Sequence, residues 1–164
     1  MRYRDQPTVE VSERIVAEPA AIWALLTDIT FPVEISPELQ RVEWLDDADR
    51  VAVGNRFQGT NRNEHLGEWT TTAEVVEVEP ERRWVYQVRN GDDVMASWGF
   101  EIDPGRDAVT VRQWARLGPD PSGLSIAIGQ MPEKEARILA RRIEEWRAAM
   151  TANLAAIRAA VESD

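Results

Sequence analysis

Up to Leu117 the apolar and polar positions of the chain mostly alternate, and beyond it the period changes. Residues 8–17 (TVEVSERIVA) begin with strict alternation and predict a first strand. Pro19 then opens a short helix with Ile22, Trp23, Leu25 and Leu26 on its buried side. Residues 27–38 are broken by Pro32 and Pro37, so they hold only a second short helix and a turn. Val42 and Trp44 alternate with charge before an acidic turn at Asp46, Asp47 and Asp49. Residues 55–63 and 69–79 predict two strands around a turn at 64–68, with Gly67 as its pivot. Trp84, Tyr86 and Val88 alternate with Val85, Gln87 and Arg89 in the next strand, and Asn90-Gly91-Asp92 is a hairpin signal. Trp98, Phe100 and Ile102 continue the alternation until Asp103-Pro104-Gly105 turns the chain. In the last strand Val109, Val111, Gln113 and Ala115 face one way, and Thr110, Arg112, Trp114 and Arg116 the other.

Residues 117–131, rich in Gly, Pro and Ser, read as a loop, with Leu124, Ile126, Ile128 and Met131 as apolar groups to lay over a neighbour. From Pro132 to about Val161 the period becomes helical. Leu139, Ile143, Trp146, Met150, Leu154, Ile157 and Val161 recur at spacings of three and four, the stripe of one amphipathic helix. Pro132 suits a first helical position, and Glu133 and Glu135 place negative charge at the positive end of the helix dipole. At about 1.5 Å per residue the helix is roughly 45 Å long and needs a broad apolar partner. Consecutive hairpins make the strands antiparallel, so that partner is one face of a curved sheet. The expected class is α+β: about seven antiparallel strands wrapped around a long C-terminal helix, with two short helices after the first strand. Residues 1–164 read as a single domain without repeat or linker.

Composition narrows the partners. A net charge of −10 gives no attraction to nucleic acid or anionic lipid, so neither is an expected partner. The absence of cysteine removes disulfides, thiol catalysis and thiolate metal sites. The first residues lack the apolar core of a signal peptide, and no apolar run approaches the ~20 residues that span a bilayer. A cytoplasmic protein without membrane insertion is expected, and monomer and homodimer both stay open.

The order of elements and the residues at their corners resemble the START-like helix-grip superfamily, also called SRPBCC. The resemblance is nearest to its polyketide cyclase/dehydrase and lipid-transport branch. It is carried by Val9-Glu10-Val11-Ser12 and by Ala17-Glu18-Pro19-Ala20-Ala21-Ile22-Trp23-Ala24-Leu25-Leu26-Thr27-Asp28. Further along it rests on Val53-Gly54-Asn55-Arg56-Phe57-Gln58-Gly59, Trp69, Val75-Val76-Glu77-Val78-Glu79-Pro80 and Trp84. The match runs from about residue 8 to 160. It implies a mostly apolar cavity between the sheet and the long helix, with its mouth near the short helices and the stretch before Pro132. Relatives often carry a Trp in the second short helix where this chain has Ile35, so no aromatic gate is transferred.

Little of the usual catalytic vocabulary is present. The single histidine, His65, falls in a predicted turn, where a solvated ring is the plain expectation. Neither H-E-x-x-H nor a glycine-rich phosphate loop occurs, and the Asp46, Asp47, Asp49 cluster lacks the glycine and terminal glutamate of a calcium loop. No metal site, no cofactor and no assigned catalytic residue is therefore expected.

The seven tryptophans say more. By parity Trp44, Trp69, Trp84, Trp98 and Trp146 point to the space between sheet and helix, and Trp114 points out and is exposed. Either they fill a core or several line a cavity. Asn61 and Gln113 share the inward parity. A buried amide must bond another protein group or water, or orient a ligand. The candidate ligand-binding residues on the strands are Phe57, Asn61, Trp69, Thr71, Trp84, Tyr86, Trp98, Phe100 and Gln113. On the helix they are Leu139, Ile143, Trp146 and Met150. Arg142 and Arg147 flank the stripe, either solvated or reaching the cavity rim. These observations favour a protein that binds a small hydrophobic, lipid- or polyketide-like molecule. The alternatives are an aromatase/cyclase-like enzyme guiding ring closure in that cavity, and an interaction module with a filled core and an exposed Trp114.

Overall fold

The computed structural model describes residues 1–162. Seven strands form one antiparallel sheet: β1 (Thr8–Ile15), β2 (Leu39–Trp44), β3 (Arg56–Asn63), β4 (Gly67–Glu79), β5 (Arg83–Asn90), β6 (Asp93–Pro104) and β7 (Val109–Leu117). Their spatial order is β1-β7-β6-β5-β4-β3-β2. Strands β2 to β7 are successive hairpin neighbours, and β1 closes against β7 with Val9 opposite Ala115 and Ile15 opposite Val109. The turns fall where the sequence signals them: Gly67 (φ 77) pivots β3 into β4 and Gly91 (φ 61) pivots β5 into β6. Register shifts at 39/41, 75/77 and 88/89 add local twist, and the sheet curls into a half-barrel.

Helix α1 (Pro19–Leu26) follows β1, and Pro32 stands in a 3-10 turn at Phe31–Glu34. The long helix, α3 (Glu135–Glu162), lies on the concave face with its backbone closest to β1. Pro132 starts a separate 3-10 turn, Pro132–Lys134, instead of the helix itself.

Two core clusters hold α3 to the sheet. One gathers Ile15, Ile22, Leu26, Trp84, Leu154 and Ile157 around α1; the other joins Val9, Leu117, Ile128, Leu139, Trp146 and Met150. Between them the buried Asn153 amide donates to Gln113 Oε1 at 3.0 Å.

Two expectations need correction. Residues 117–131 are not a loop throughout, since Gly123–Gln130 forms helix α2. Ser122 and Ser125 cap it reciprocally: the Ser122 hydroxyl accepts from Ser125 N–H and the Ser125 hydroxyl accepts from Ser122 N–H. Ile128 fastens α2 into the second core cluster, and the segment leading to it is tied to β6 by Gly118 N–H on the Met95 carbonyl at 2.8 Å. Trp114 does face the convex side, but it is buried rather than exposed. Its indole lies flat on Gly99, where a Cβ would stand 2.2 Å from the ring. Arg83 and Arg116 pack on the indole at 5.6 and 5.4 Å, and its N–H donates to Glu101 at 3.0 Å.

Candidate ligand site

The strands carry aromatic rings across the concave face in register, because paired residues on neighbouring strands share a face. Trp84 stands opposite Phe100, Tyr86 opposite Trp98, and Phe57 opposite Trp44. The resulting ring cluster has Trp84 stacked on Phe100 (4.9 Å, 16°) and Tyr86 edged by Phe57 at 5.0 Å. Trp98 lies parallel to Tyr86 at 6.4 Å and reaches Trp146 of α3 at 4.7 Å. The parity expectation for Trp44, Trp69, Trp84, Trp98 and Trp146 therefore holds in direction.

Exposure divides the candidate residues. Phe57, Trp84, Phe100, Gln113, Leu139, Trp146 and Met150 are buried in the core. Asn61, Trp69, Thr71, Tyr86, Trp98 and Ile143 keep part of their surface free. Tyr86 sits on the middle strand of seven and is half-buried, with the rings of Phe57, Trp84, Trp98 and Phe100 around it. Burial pushes the Tyr86 phenol above its ordinary range, so it stays protonated. Its hydroxyl makes no hydrogen bond within residues 1–162, and neither does the Asn61 amide. Gln113, by contrast, meets Asn153, a partner that parity alone does not name.

Polar side chains bridge α3 to Glu38, just before β2, and to Asn63 at the end of β3. Arg142, only 11% exposed, gives Glu38 two hydrogen bonds at 2.7 and 2.8 Å and approaches Glu145 at 3.6 Å. Its guanidinium packs on Trp69 and Trp146 at 5.7 and 5.4 Å. The Asn63 amide donates to Glu38 at 2.9 Å and to Glu145 at 2.8 Å. Burial pushes the Glu38 carboxyl up, but Arg142 and Asn63 together outweigh it and hold it below the ordinary carboxylate range. Arg142 is thus a tethered rim residue, while Arg147 stays on the solvated side, 3.5 Å from Glu144.

His65 is exposed in the β3–β4 turn, 3.4 Å from Glu64 and in contact with Arg141. No cluster of three or more His, Cys, Asp or Glu side chains among the described residues has the geometry to hold a metal ion. Two open clefts lie on the surface, the first of them beside the Asn63–Glu38 contact. One, about 560 Å³, is lined by Pro37, Gln40 and residues of the β3–β4 turn; the other, about 400 Å³, by Trp23, Thr27, Val51 and Val78. Neither is lined by Tyr86, Trp98 or Gln113.

Residues 6–162 match the family profile described as polyketide cyclase / dehydrase and lipid transport. The chain belongs to that family. Among solved structures, a polyketide-cyclase-like protein of Corynebacterium glutamicum is similar over 94% of this chain and 91% of its own, at 25% identity and a TM-score of 0.66. The di-domain ARO/CYC StfQ from the steffimycin biosynthetic pathway is similar over 98% of this chain and 52% of its own, at 17% identity and a TM-score of 0.72. A START superfamily protein of Mycobacterium smegmatis covers 85% of this chain and 98% of its own, at 16% identity and a TM-score of 0.54. The last two likenesses are of fold. No curated protein matches the chain. No helix among the described residues is long and apolar enough to cross a membrane.

Proposed function

We propose that this domain binds a small hydrophobic molecule in the gap between the concave sheet and α3. The observation that carries the reading is Tyr86, half-buried among the rings of Phe57, Trp84, Trp98 and Phe100, with no hydrogen bond to its hydroxyl within residues 1–162. A filled core would have closed over that group or bonded it. The interaction-module reading keeps only the acidic net charge, because the tryptophan it also relied on is covered. Access requires the rim to part, and the Glu38–Arg142 bridge is the contact that would give way.

The test is a titration with 1-aminoanthracene, followed by its own fluorescence and by quenching of tryptophan. Saturable binding is expected, weakly dependent on salt because the walls are apolar. Thr71→Trp, which fills the gap from β4, is expected to abolish binding while the protein still melts cooperatively. A folded wild type that binds no such probe would refute the reading.

A cyclase is the second reading. It rests on the family and on Tyr86 as a weak acid beside the gap. It comes second because the chain's one histidine stands in an exposed turn. Incubation with a reactive poly-β-ketone mimic discriminates: a ring pattern identical to the spontaneous reaction rules catalysis out.

A further inference from the structure

We infer that the free edge of β2 is an interface, and that the partner it fits is a second copy of this chain. The inference concerns a different face from the ligand reading and is tested apart from it. In the sheet order β2 is terminal, with β3 on one side and no strand on the other. Leu45 N–H donates to the Arg56 carbonyl at 2.9 Å, and backbone groups change side at each residue of an antiparallel ladder. Arg41 and Glu43 therefore turn their backbone groups to β3, and Val42 and Trp44 turn theirs to the open side. The nearby 3-10 turn Phe31–Glu34 gives β2 no backbone hydrogen bond. A row of unpaired donors and acceptors at a sheet edge is a template for another strand.

The side chains say which strand that is. On the inner strands of the convex face, arginines meet carboxylates of the adjacent strand: Arg83 with Glu101 at 2.7 Å, Arg112 with Glu101 at 3.6 Å and Arg89 with Glu74 at 3.7 Å. Arg41 and Glu43 lie on the same face, opposite Thr60 and Gln58 of β3. Both are exposed, and neither makes an ion pair or side-chain hydrogen bond within residues 1–162. Their missing neighbour is supplied by β2 itself, run antiparallel across a two-fold axis at Val42. Arg41 then faces the partner's Glu43, and Glu43 faces the partner's Arg41. At the axis the two Val42 residues exchange their outward N–H and carbonyl groups. Registers that keep the faces matched but centre on Arg41 or Glu43 set like charges opposite each other, so the charges fix the pairing. The contact is isologous, the same patch on both copies.

The experiment is sedimentation velocity of the full chain from about 20 μM to about 1 mM, since one strand edge is a small contact and self-association through it is weak. A concentration-dependent equilibrium of monomer and dimer is expected, with hydrogen exchange at Val42 and Trp44 slowing as dimer forms. Arg41→Glu and Glu43→Arg, both at exposed positions, are each expected to weaken dimerisation roughly five- to thirtyfold. Glu43→Arg is the sharper of the two, because it makes the chain less acidic, and relief of general charge repulsion would tighten the dimer instead. The double exchange Arg41→Glu/Glu43→Arg is expected to dimerise like the wild type. Mixing the two single variants is expected to give a heterodimer, which native mass spectrometry distinguishes by mass. A chain that stays monomeric throughout would overturn the inference, whether its charges guard the edge or another protein's strand fills it. A dimer that Glu43→Arg leaves intact or tightens would overturn it too, because the contact would lie elsewhere.

Discussion

The two sides of α3 meet the sheet in different ways. Towards β1 and β7 its backbone comes close, and side chains such as Leu154, Ile157, Leu139 and Met150 are buried to 1% exposure or less. Towards β3, β4 and β6 and the residue before β2 the meeting is through long side chains: Arg142 on Glu38 and Trp69, Trp146 on Trp98, and Asn63 on Glu145. The first arrangement is dense apolar packing, where contact area supplies the stability. The second holds the helix at a distance and leaves half-buried rings between. One helix thus anchors the fold along one flank and meets the other through longer side chains and half-buried rings, the flank where we place the proposed ligand.

The largest expected effects lie on the packed flank. Leu154→Ala should cost about 2–5 kcal/mol in urea unfolding, since the residue is 1% exposed and the cavity left behind has little means of collapsing. Ala115→Leu, at a fully buried position of the same flank, should cost about 1–3 kcal/mol by overpacking. Binding of 1-aminoanthracene to the folded fraction should change little in Leu154→Ala. A loss of binding equal to that of Thr71→Trp would show that the two flanks are one site.

Most of this architecture is legible in the sequence, and the exceptions have physical causes. Alternation marks strands because side chains change face at every residue, so all seven strands and their inward parity follow from it. Helix α2 escapes because Gly123 and Gly129 lower its helix propensity, and its cap uses serine at both positions of the box. Asn153 escapes for another reason, and for Arg142 the same reason leaves the sequence open between solvent and rim. Both lie at helical spacing from the stripe, three residues after Leu139 and Met150, and there a polar residue reads as solvated. Their partners, Glu38 and Gln113, are 104 and 40 residues away in the chain, a pairing that no local pattern encodes. Trp114 escapes because its burial depends on Gly99, which clears the space the indole occupies. For the proposed ligand space the sequence offers only the inward parity of Asn61 and Tyr86, since no local pattern encodes how closely a helix seats on a sheet.

The rim should give intermediate effects. Arg142→Met leaves Glu38 partly buried without its cation and should cost about 1–3 kcal/mol, and Glu38→Gln/Arg142→Met should cost less than the sum of the single changes. The contribution of Glu38 has a definite dependence on pH. Its folded-state pKa is depressed, so the stabilisation is fully present above the unfolded value, roughly 4.3, and is lost as pH falls through the folded value. Stability curves of wild type and Glu38→Gln should therefore lie apart at neutral pH and converge in acid. Curves that stay parallel down to the acid transition would mean that the bridge contributes nothing as a charge pair.

The smallest expected effect is the sharpest test of the contrast. Asn61 faces the gap, keeps free surface and makes no hydrogen bond within residues 1–162, so replacing it removes no partner. Asn61→Leu adds apolar surface where there is room for it and exchanges an amide for a side chain of similar size. The change in unfolding free energy should lie within about 0.5 kcal/mol, and on the stabilising side if the leucine packs against the rings. Ala115→Leu, an enlargement on the other flank, meets atoms on every side and has nowhere to go. The comparison thus turns on space rather than on hydrophobicity, since leucine is the incoming residue in both. Chemical denaturation of the two variants side by side measures it. If Asn61→Leu were as costly as Ala115→Leu, the open flank would be as closely packed as the other, and no gap would be left to hold a ligand.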